Sequence, residues 1–383
     1  MNYRIHTFLR GKLPASVFVL WLLALRLEAQ PSNAVALEST LHYGTLWRHT
    51  PKLTIQTGQP VFGQEWGLRL QTRGLRSWHQ WQRYPAFGLV VAHFRLGERA
   101  HGDVWGLLPN LSVPVLRSGR WLATFRVGTG LGYVTRPYDY FDNPGENAIG
   151  SHWNNFTQFR LGVEVRLNPC WRLQTGLCLS HFSNGASALP NFGVNLPGGY
   201  FSLAWSPKGI READFYPSPE SKRPSRRWGV SVSGGLAMIE YSVYDGPRYP
   251  VWALSGAVLF HFNKVNRLHA GLDYEFNRAV KVFALQAGQF RSENDARRGA
   301  TRLALSLADE FLFGALGVQL LAGIYTGPAG FNQLVPAPWY SKLTIRYYFP
   351  PLPNTPLRLH TGISLKAHRT TAEYISLNVG VEW

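Results

Sequence analysis

The chain has 383 residues, with 39 Lys+Arg against 22 Asp+Glu and a formal net charge of +17 at pH 7. A balance this basic implies an anionic neighbour such as nucleic acid, lipid phosphate or an acidic substrate. Only two cysteines are present, which excludes a fold that depends on disulfide staples.

The first segment reads as a secretory signal. Arg4, Arg10 and Lys12 form a basic start, Leu13 to Leu25 an apolar core, and Leu27-Glu28-Ala29 a small-residue cleavage site that leaves Gln30 as the new N-terminus. Arg26 and Glu28, so close behind the apolar run, favour cleavage over a membrane anchor. Removing residues 1–29 takes four basic residues and one acid from the 39 and 22, leaving a net +14. Export argues against nucleic acid as the partner and leaves phosphorylated lipid headgroups.

No apolar run of 18 residues follows the signal, so no transmembrane helix is expected. The chain alternates instead. Strands are predicted near 38–47, 63–72, 85–96, 104–116, 121–133, 154–168, 171–183 and 195–206. Phe159, Leu161, Val163 and Val165 interleave with Arg160, Gly162 and Glu164, and Trp66, Leu68 and Leu70 with Gly67 and Arg69. The run Gly128-Thr129-Gly130-Leu131-Gly132 resembles a nucleotide loop by letters, but inside an alternating strand it fits small lumen-facing residues better. Cys170 and Cys178 lie eight residues apart on or beside one strand, roughly 26 Å if Cys170 begins it, so both are expected to be unpaired. The stretch 207–226 is polar and rich in Pro and Ser and reads as a connection. From Arg227 the alternation resumes, with six to nine further strand candidates, and ends on Ile375, Leu377, Val379, Val381 and Trp383 interleaved with Ser376, Asn378, Gly380 and Glu382.

A soluble sandwich would also alternate. The predicted strands, however, run about 10–14 residues, near the ~9–11 of a tilted membrane-spanning strand and longer than the ~5–6 usual in globular sheets. Aromatics form 14% of the chain and gather at strand ends, as interfacial girdles do. The closing strand with its C-terminal aromatic resembles the assembly signal of bacterial outer-membrane proteins. The expected fold is all-β, a transmembrane antiparallel β-barrel of the bacterial outer membrane. A single barrel over 30–383 is the simplest closure, with about 14 strands and 12–16 allowed by parity.

Parity also orients the strand at 171–183. Leu173, Thr175, Leu177 and Leu179 take the odd, lipid-facing positions, and Arg172, Gln174, Gly176 and Ser180 the even, lumenal ones. His181 and Ser183 are odd, about 6.6 Å apart along the strand, close enough for an imidazole to activate a hydroxyl. Asn195 falls in phase with the outward Phe201, Leu203 and Trp205. A polar trio on a lipid-facing wall is costly unless it works; the plainer reading is that these residues only occupy the headgroup zone. Asn168-Pro169-Cys170 is a tight turn and 135–153 a long loop, so the strand should carry His181 and Ser183 to the outer leaflet, where lipopolysaccharide lies.

The run His181-Phe182-Ser183-Asn184-Gly185, followed by Pro190-Asn191 and a descending strand, resembles the outer-membrane lipid A 3-O-deacylases and their acyloxyacyl-hydrolase relatives. The resemblance is good over 155–206, weaker across the first eight strands and not seen in 227–383. It implies a serine esterase that removes an ester-linked acyl chain, expected at the 3-O position, from lipid A of lipopolysaccharide. Ser183 would be nucleophile, His181 general base and then general acid, and Asn184 with amides around Gly185 the oxyanion hole, each such donor worth roughly 3–4 kcal/mol. Leu177, Leu179, Phe201 and Leu203 would take the acyl chain. No cofactor and no metal are implied, and no His/Cys cluster at zinc spacing occurs. The sequence departs from the family pattern where an orienting carboxylate is expected: Asn195 stands there. An amide accepts the histidine N–H but cannot stabilise the imidazolium by charge, and the acid-to-amide change in a serine triad costs on the order of 10⁴ in turnover. Asp139, Asp142 and Glu146 are substitute acids to consider. The competing reading is a non-enzymatic barrel, either a channel lined by arginines such as Arg160, Arg166 and Arg172, or a structural barrel with a degenerate site.

Overall fold

The computed structural model describes residues 34–55, 57–217, 223–224, 226–241, 244–326, 337–368 and 371–383. The expected leader and part of the 207–226 connection lie outside these residues.

Sixteen strands are described, and they close as two barrels of eight. In the first, β1 (Ala34–Thr45), β2 (Pro60–Gln71), β3 (Ala86–Arg95), β4 (Asp103–Ser118), β5 (Trp121–Val134), β6 (Trp153–Arg166), β7 (Trp171–Ser183) and β8 (Val194–Trp205) form an antiparallel meander. The second holds β9 (Trp228–Glu240), β10 (Arg248–Asn263), β11 (Asn266–Asn277), β12 (Thr301–Phe313), β13 (Leu316–Thr326), β14 (Trp339–Tyr348), β15 (Arg358–His368) and β16 (Thr371–Glu382). The expectation of a single barrel is therefore corrected. β8 pairs back onto β1, from Leu37 with Trp205 to Gly44 with Gly198, so no open edge is left for β9 to extend. β16 closes on β9 in the same way. Alternation reports which face a residue occupies, whereas closure depends on tilt and stagger, which alternation does not encode. The chain correspondingly forms two compact units, one running to Asn184 with Pro190–Glu220, the other comprising Gly185–Leu189 with Ser221–Trp383.

Each barrel is apolar outside and polar inside. On β7, Trp171, Thr175 and Leu177 are exposed, while Arg172, Gln174 and Ser180 are buried in the lumen. The first lumen is filled by paired charge. Arg126 grips Glu38 through two nitrogens at 2.6 and 2.8 Å, Arg69 meets Glu164 at 2.5 Å, Arg172 lies 3.5 Å from Glu164, and Arg160 pairs with Glu65. The arginines considered for an anion pathway are thus neutralised fill, and Arg166 pairs with Glu212 at an exposed position. The second lumen is packed on the same plan around Glu310, Glu275 and Asp273, and its cavity, lined by residues such as Ser231, Ser255 and Lys342, is about 40 Å³, room for no more than a few waters.

Aromatics mark both ends of the first barrel. Tyr43 packs on Phe62 and Tyr133 on Trp153 at one end, and Trp171 on Trp205 at the other, the two interfacial girdles of a membrane barrel. The tight turns at Gly119–Arg120 and 167–170 fall at the Trp171 end. The 72–85 connection at that end is longer because it holds a short helix, α1 (Ser77–Trp81). Among the described residues no helix is long and apolar enough to cross a membrane. Cys170 and Cys178 are both free.

Candidate active site on the outer wall of the first barrel

The site forms at the end of β7 where it meets β8. The register sets His181 directly opposite Asn195, and the strand pleat turns both outward, while the intervening Phe182 points into the lumen and is wholly buried against Phe156. His181 Nδ1–H donates to Asn195 Oδ1 at 2.7 Å, and Ser183 Oγ–H donates to His181 Nε2 at 3.0 Å. Serine, histidine and asparagine are therefore joined in one string, with imidazole basicity directed at the hydroxyl. Ser183 itself is 1% exposed.

The wall beside this string is also polar. On the outward faces of β5 and β6, Asn155 Nδ2 donates to Thr129 Oγ1 at 2.8 Å, Thr157 Oγ1 donates to Asn155 Oδ1 at 2.7 Å, and the two threonine hydroxyls lie 3.0 Å apart. Asn155 pairs with Ser183 and Thr157 with His181 across the β6–β7 ladder. The apolar wall begins below. Leu177 is 70% exposed, and Leu179, Phe201 and Leu203 continue it. Opposite Leu177 stands Gly199, where an added methyl group would touch only the Gly176 carbonyl oxygen, at 3.6 Å, with Tyr43 of β1 on its far side. This shallow lane was not anticipated, because a glycine among alternating residues carries no sign of which neighbours flank it.

The residues expected to donate to an oxyanion are partly committed elsewhere. Asn184 Nδ2 donates to Ser151 Oγ at 2.8 Å, and its backbone N–H donates to Asn191 Oδ1 at 3.0 Å. Gly185 takes φ +61, a left-handed conformation that glycine accepts readily. Asn191 Nδ2, by contrast, is buried without a hydrogen-bond partner. The Pro190-Asn191 pair was visible in the sequence, but nothing in it told which amide would be left free. A second residue that sequence reasoning missed is Gly193, at φ +82. A methyl group there would come within 2.8 Å of His181 Cε1.

None of the three acids considered as substitutes for Asn195 hydrogen-bonds His181. Glu146 lies 2.5 Å from His101 Nδ1 and accepts the Ala148 amide at 2.9 Å. Asp139 accepts the amides of Phe141 and Asp142, bonds that hold its carboxyl below the usual range, and Asp142 belongs to that same turn. Among the described residues no group of three His, Cys, Asp or Glu side chains is arranged to hold a metal ion.

Two closed barrels with apolar exteriors, aromatic girdles and filled lumens define an integral β-barrel protein of the bacterial outer membrane, here with a serine–histidine–asparagine string on its lipid-facing wall. Two family models match the chain: "Lipid A 3-O-deacylase (PagL)" over residues 64–204, and "Acyloxyacyl hydrolase, C-terminal domain" over residues 226–383. Together the two models cover most of the chain, which belongs to this lipid A 3-O-deacylase and acyloxyacyl hydrolase family, a family of outer-membrane ester hydrolases. The second match corrects the expectation that residues 227–383 bear no resemblance to the family. No curated protein matches the chain. Solved structures that match the chain include the outer membrane enzyme PagL, 15% identical over 43% of this chain and 97% of that one (TM-score 0.30). A BenF-like porin from Pseudomonas fluorescens Pf-5 is 11% identical over 92% and 98% (TM-score 0.22). The translocator domain of the autotransporter NalP from Neisseria meningitidis is 10% identical over 96% and 95% (TM-score 0.22).

Proposed function

We propose that this protein is a serine esterase that removes one ester-linked acyl chain, at the 3-O position, from lipid A in the outer leaflet. The observation that carries the reading is the Ser183–His181–Asn195 string, outward-facing and set where polar wall gives way to apolar wall. A lipid A molecule in the leaflet would present its ester at that level, with the scissile chain along Leu179, Leu177 and the open lane at Gly199, towards Phe201 and Leu203.

Ser183 Oγ attacks the ester carbonyl carbon as its proton passes to His181 Nε2, and the carbonyl becomes an oxyanion. The Asn191 amide, buried without a hydrogen-bond partner, would be the side-chain donor to that charge, in the role first considered for Asn184. The tetrahedral intermediate expels the sugar alkoxide, which takes the proton from His181, and leaves an acyl-serine. Water, deprotonated by His181, then attacks the acyl carbonyl, and Ser183 leaves with the proton returned. Asn195 holds the Nδ1–H tautomer throughout but offsets no charge, so turnover is expected to be slow for a serine triad.

The experiment is mass spectrometry of lipid A after incubation of lipopolysaccharide vesicles with refolded protein. Wild type should release one hydroxyacyl chain and Ser183→Ala none. Unchanged lipid A with the folded wild type would favour the second reading, a barrel with a silent site, for which the near-complete burial of Ser183 and the amide at 195 speak.

A further inference from the structure

An amide in place of a carboxylate creates a problem that a carboxylate does not have. The two oxygens of a carboxylate are equivalent, but an asparagine has one acceptor end and one donor end. If Asn195 turned its NH₂ towards His181, two donors would face each other. His181 would then shift its proton to Nε2, towards Ser183, and the base would be lost. Something must hold the amide the right way round.

We infer that His49 does this, as a positioning residue of the site; the inference rests on the serine-esterase reading above. His49 lies in the connection after β1, 146 residues before Asn195, and its Nδ1 sits 2.9 Å from Asn195 Nδ2. Its other nitrogen, Nε2, lies 3.0 Å from the Phe192 carbonyl oxygen. A carbonyl only accepts, so the proton of neutral His49 is on Nε2, and Nδ1 is left as an acceptor. The four hydrogen bonds then run in one direction. Ser183 donates to His181, His181 to Asn195, Asn195 to His49 and His49 to Phe192. The Trp47 carbonyl is 3.4 Å from the same Nδ1, farther than the Asn195 amide and unable to donate to it. The backbone supports the arrangement, since Trp47 N–H donates to the Asn195 carbonyl at 3.0 Å and ties the His49 segment to β8. Bonds aligned in this way polarise one another. The Nδ2–H bond to His49 pushes amide electron density onto Asn195 Oδ1, which makes that oxygen a stronger acceptor for the imidazolium proton. His49 is therefore the feature that allows an amide to serve at position 195.

The test is a double-mutant cycle on the full chain in detergent with lipid A as substrate, each variant shown to be folded by its heat-modifiable gel mobility. His49→Ala should lower kcat about 10–100-fold with KM unchanged, and His49→Gln, whose side-chain carbonyl can accept from Asn195, should stay within a few-fold of wild type. In the Asn195→Asp background, where no amide needs orienting, His49→Ala should cost less than about three-fold. Equal losses in the two backgrounds would mean that His49 only supports its loop, and would overturn the inference. ¹⁵N-histidine NMR decides the matter independently of turnover. Wild type should show His49 protonated on Nε2 and His181 on Nδ1, with His181 leaving that tautomer in His49→Ala. An unchanged His181 tautomer in that variant would contradict the positioning role. Wild type that gives these spectra but no turnover would remove the esterase reading while upholding the orientation by His49.

Discussion

The two barrels solve the same packing problem and differ in where they tolerate polarity. Both fill their lumens with ion pairs. In the second, Glu310 receives Arg267 at 2.7 Å, His269 at 2.7 Å and the Tyr348 hydroxyl at 2.6 Å, much as Glu38, Glu65 and Glu164 receive arginines in the first. Their outer walls part company. Outward rows of the second barrel such as Leu303-x-Leu305-x-Leu307 and Leu320-x-Ala322-x-Ile324 are apolar. The first barrel interrupts its apolar wall with His181, Ser183, Asn195, Asn155, Thr157 and Thr129. Eight-stranded closure leaves an interior that side chains fill, and in both barrels that fill is paired charge. A hydrogen-bonded polar string on the lipid side has no such packing reason, and that contrast is what singles out the site.

The largest expected effect falls on the second lumen. Glu310→Gln removes the charge and turns one acceptor oxygen into a donor facing buried donors, and should destabilise that barrel by about 3–5 kcal/mol, read as a lower urea midpoint. Hydrolysis per folded molecule should be unchanged, and its loss in folded protein would break the division between chemistry and fill. Gly193→Ala reverses the pattern. With φ +82 and a clash at His181 Cε1, it should lower kcat about 10–100-fold while leaving the urea midpoint of the second barrel in place; unchanged kcat would show that the ring is not held by this contact. The smallest effect is a matter of selectivity. Gly199→Leu fills the lane beside Leu177 and should shift the ratio of kcat/KM between long and short acyl chains about 10-fold, as one or two methylenes do in an apolar pocket. An unaltered ratio would move the acyl chain off this wall.

Much of this was legible in the sequence, for identifiable reasons. A period of two is imposed by the pleat, so strand positions, facing and the outward phase of His181 and Ser183 could be read from alternation alone. The predicted strands of the first barrel fall within a few residues of those observed. Phase placed His181 and Asn195 on one outer wall, and only the family spacing pointed to their partnership. Closure was not, since β8 meets β1 across more than 150 residues of chain with no signal beyond ordinary alternation. His49 was invisible for the same reason, as a loop histidine whose partner is 146 residues away. Asn191 and Gly193 depend on how the 184–193 connection folds back, which backbone conformation decides and residue type only permits.

The central claim is that the outward Ser183 is activated by His181. It is tested most directly by exposing folded protein to a fluorophosphonate, which reacts with activated serine hydroxyls, and by locating any adduct by peptide mass spectrometry. The account predicts one adduct per chain, on Ser183, abolished in His181→Gln although that barrel still folds. Absence of an adduct on Ser183 in folded wild-type protein, or equal labelling in His181→Gln, would contradict it.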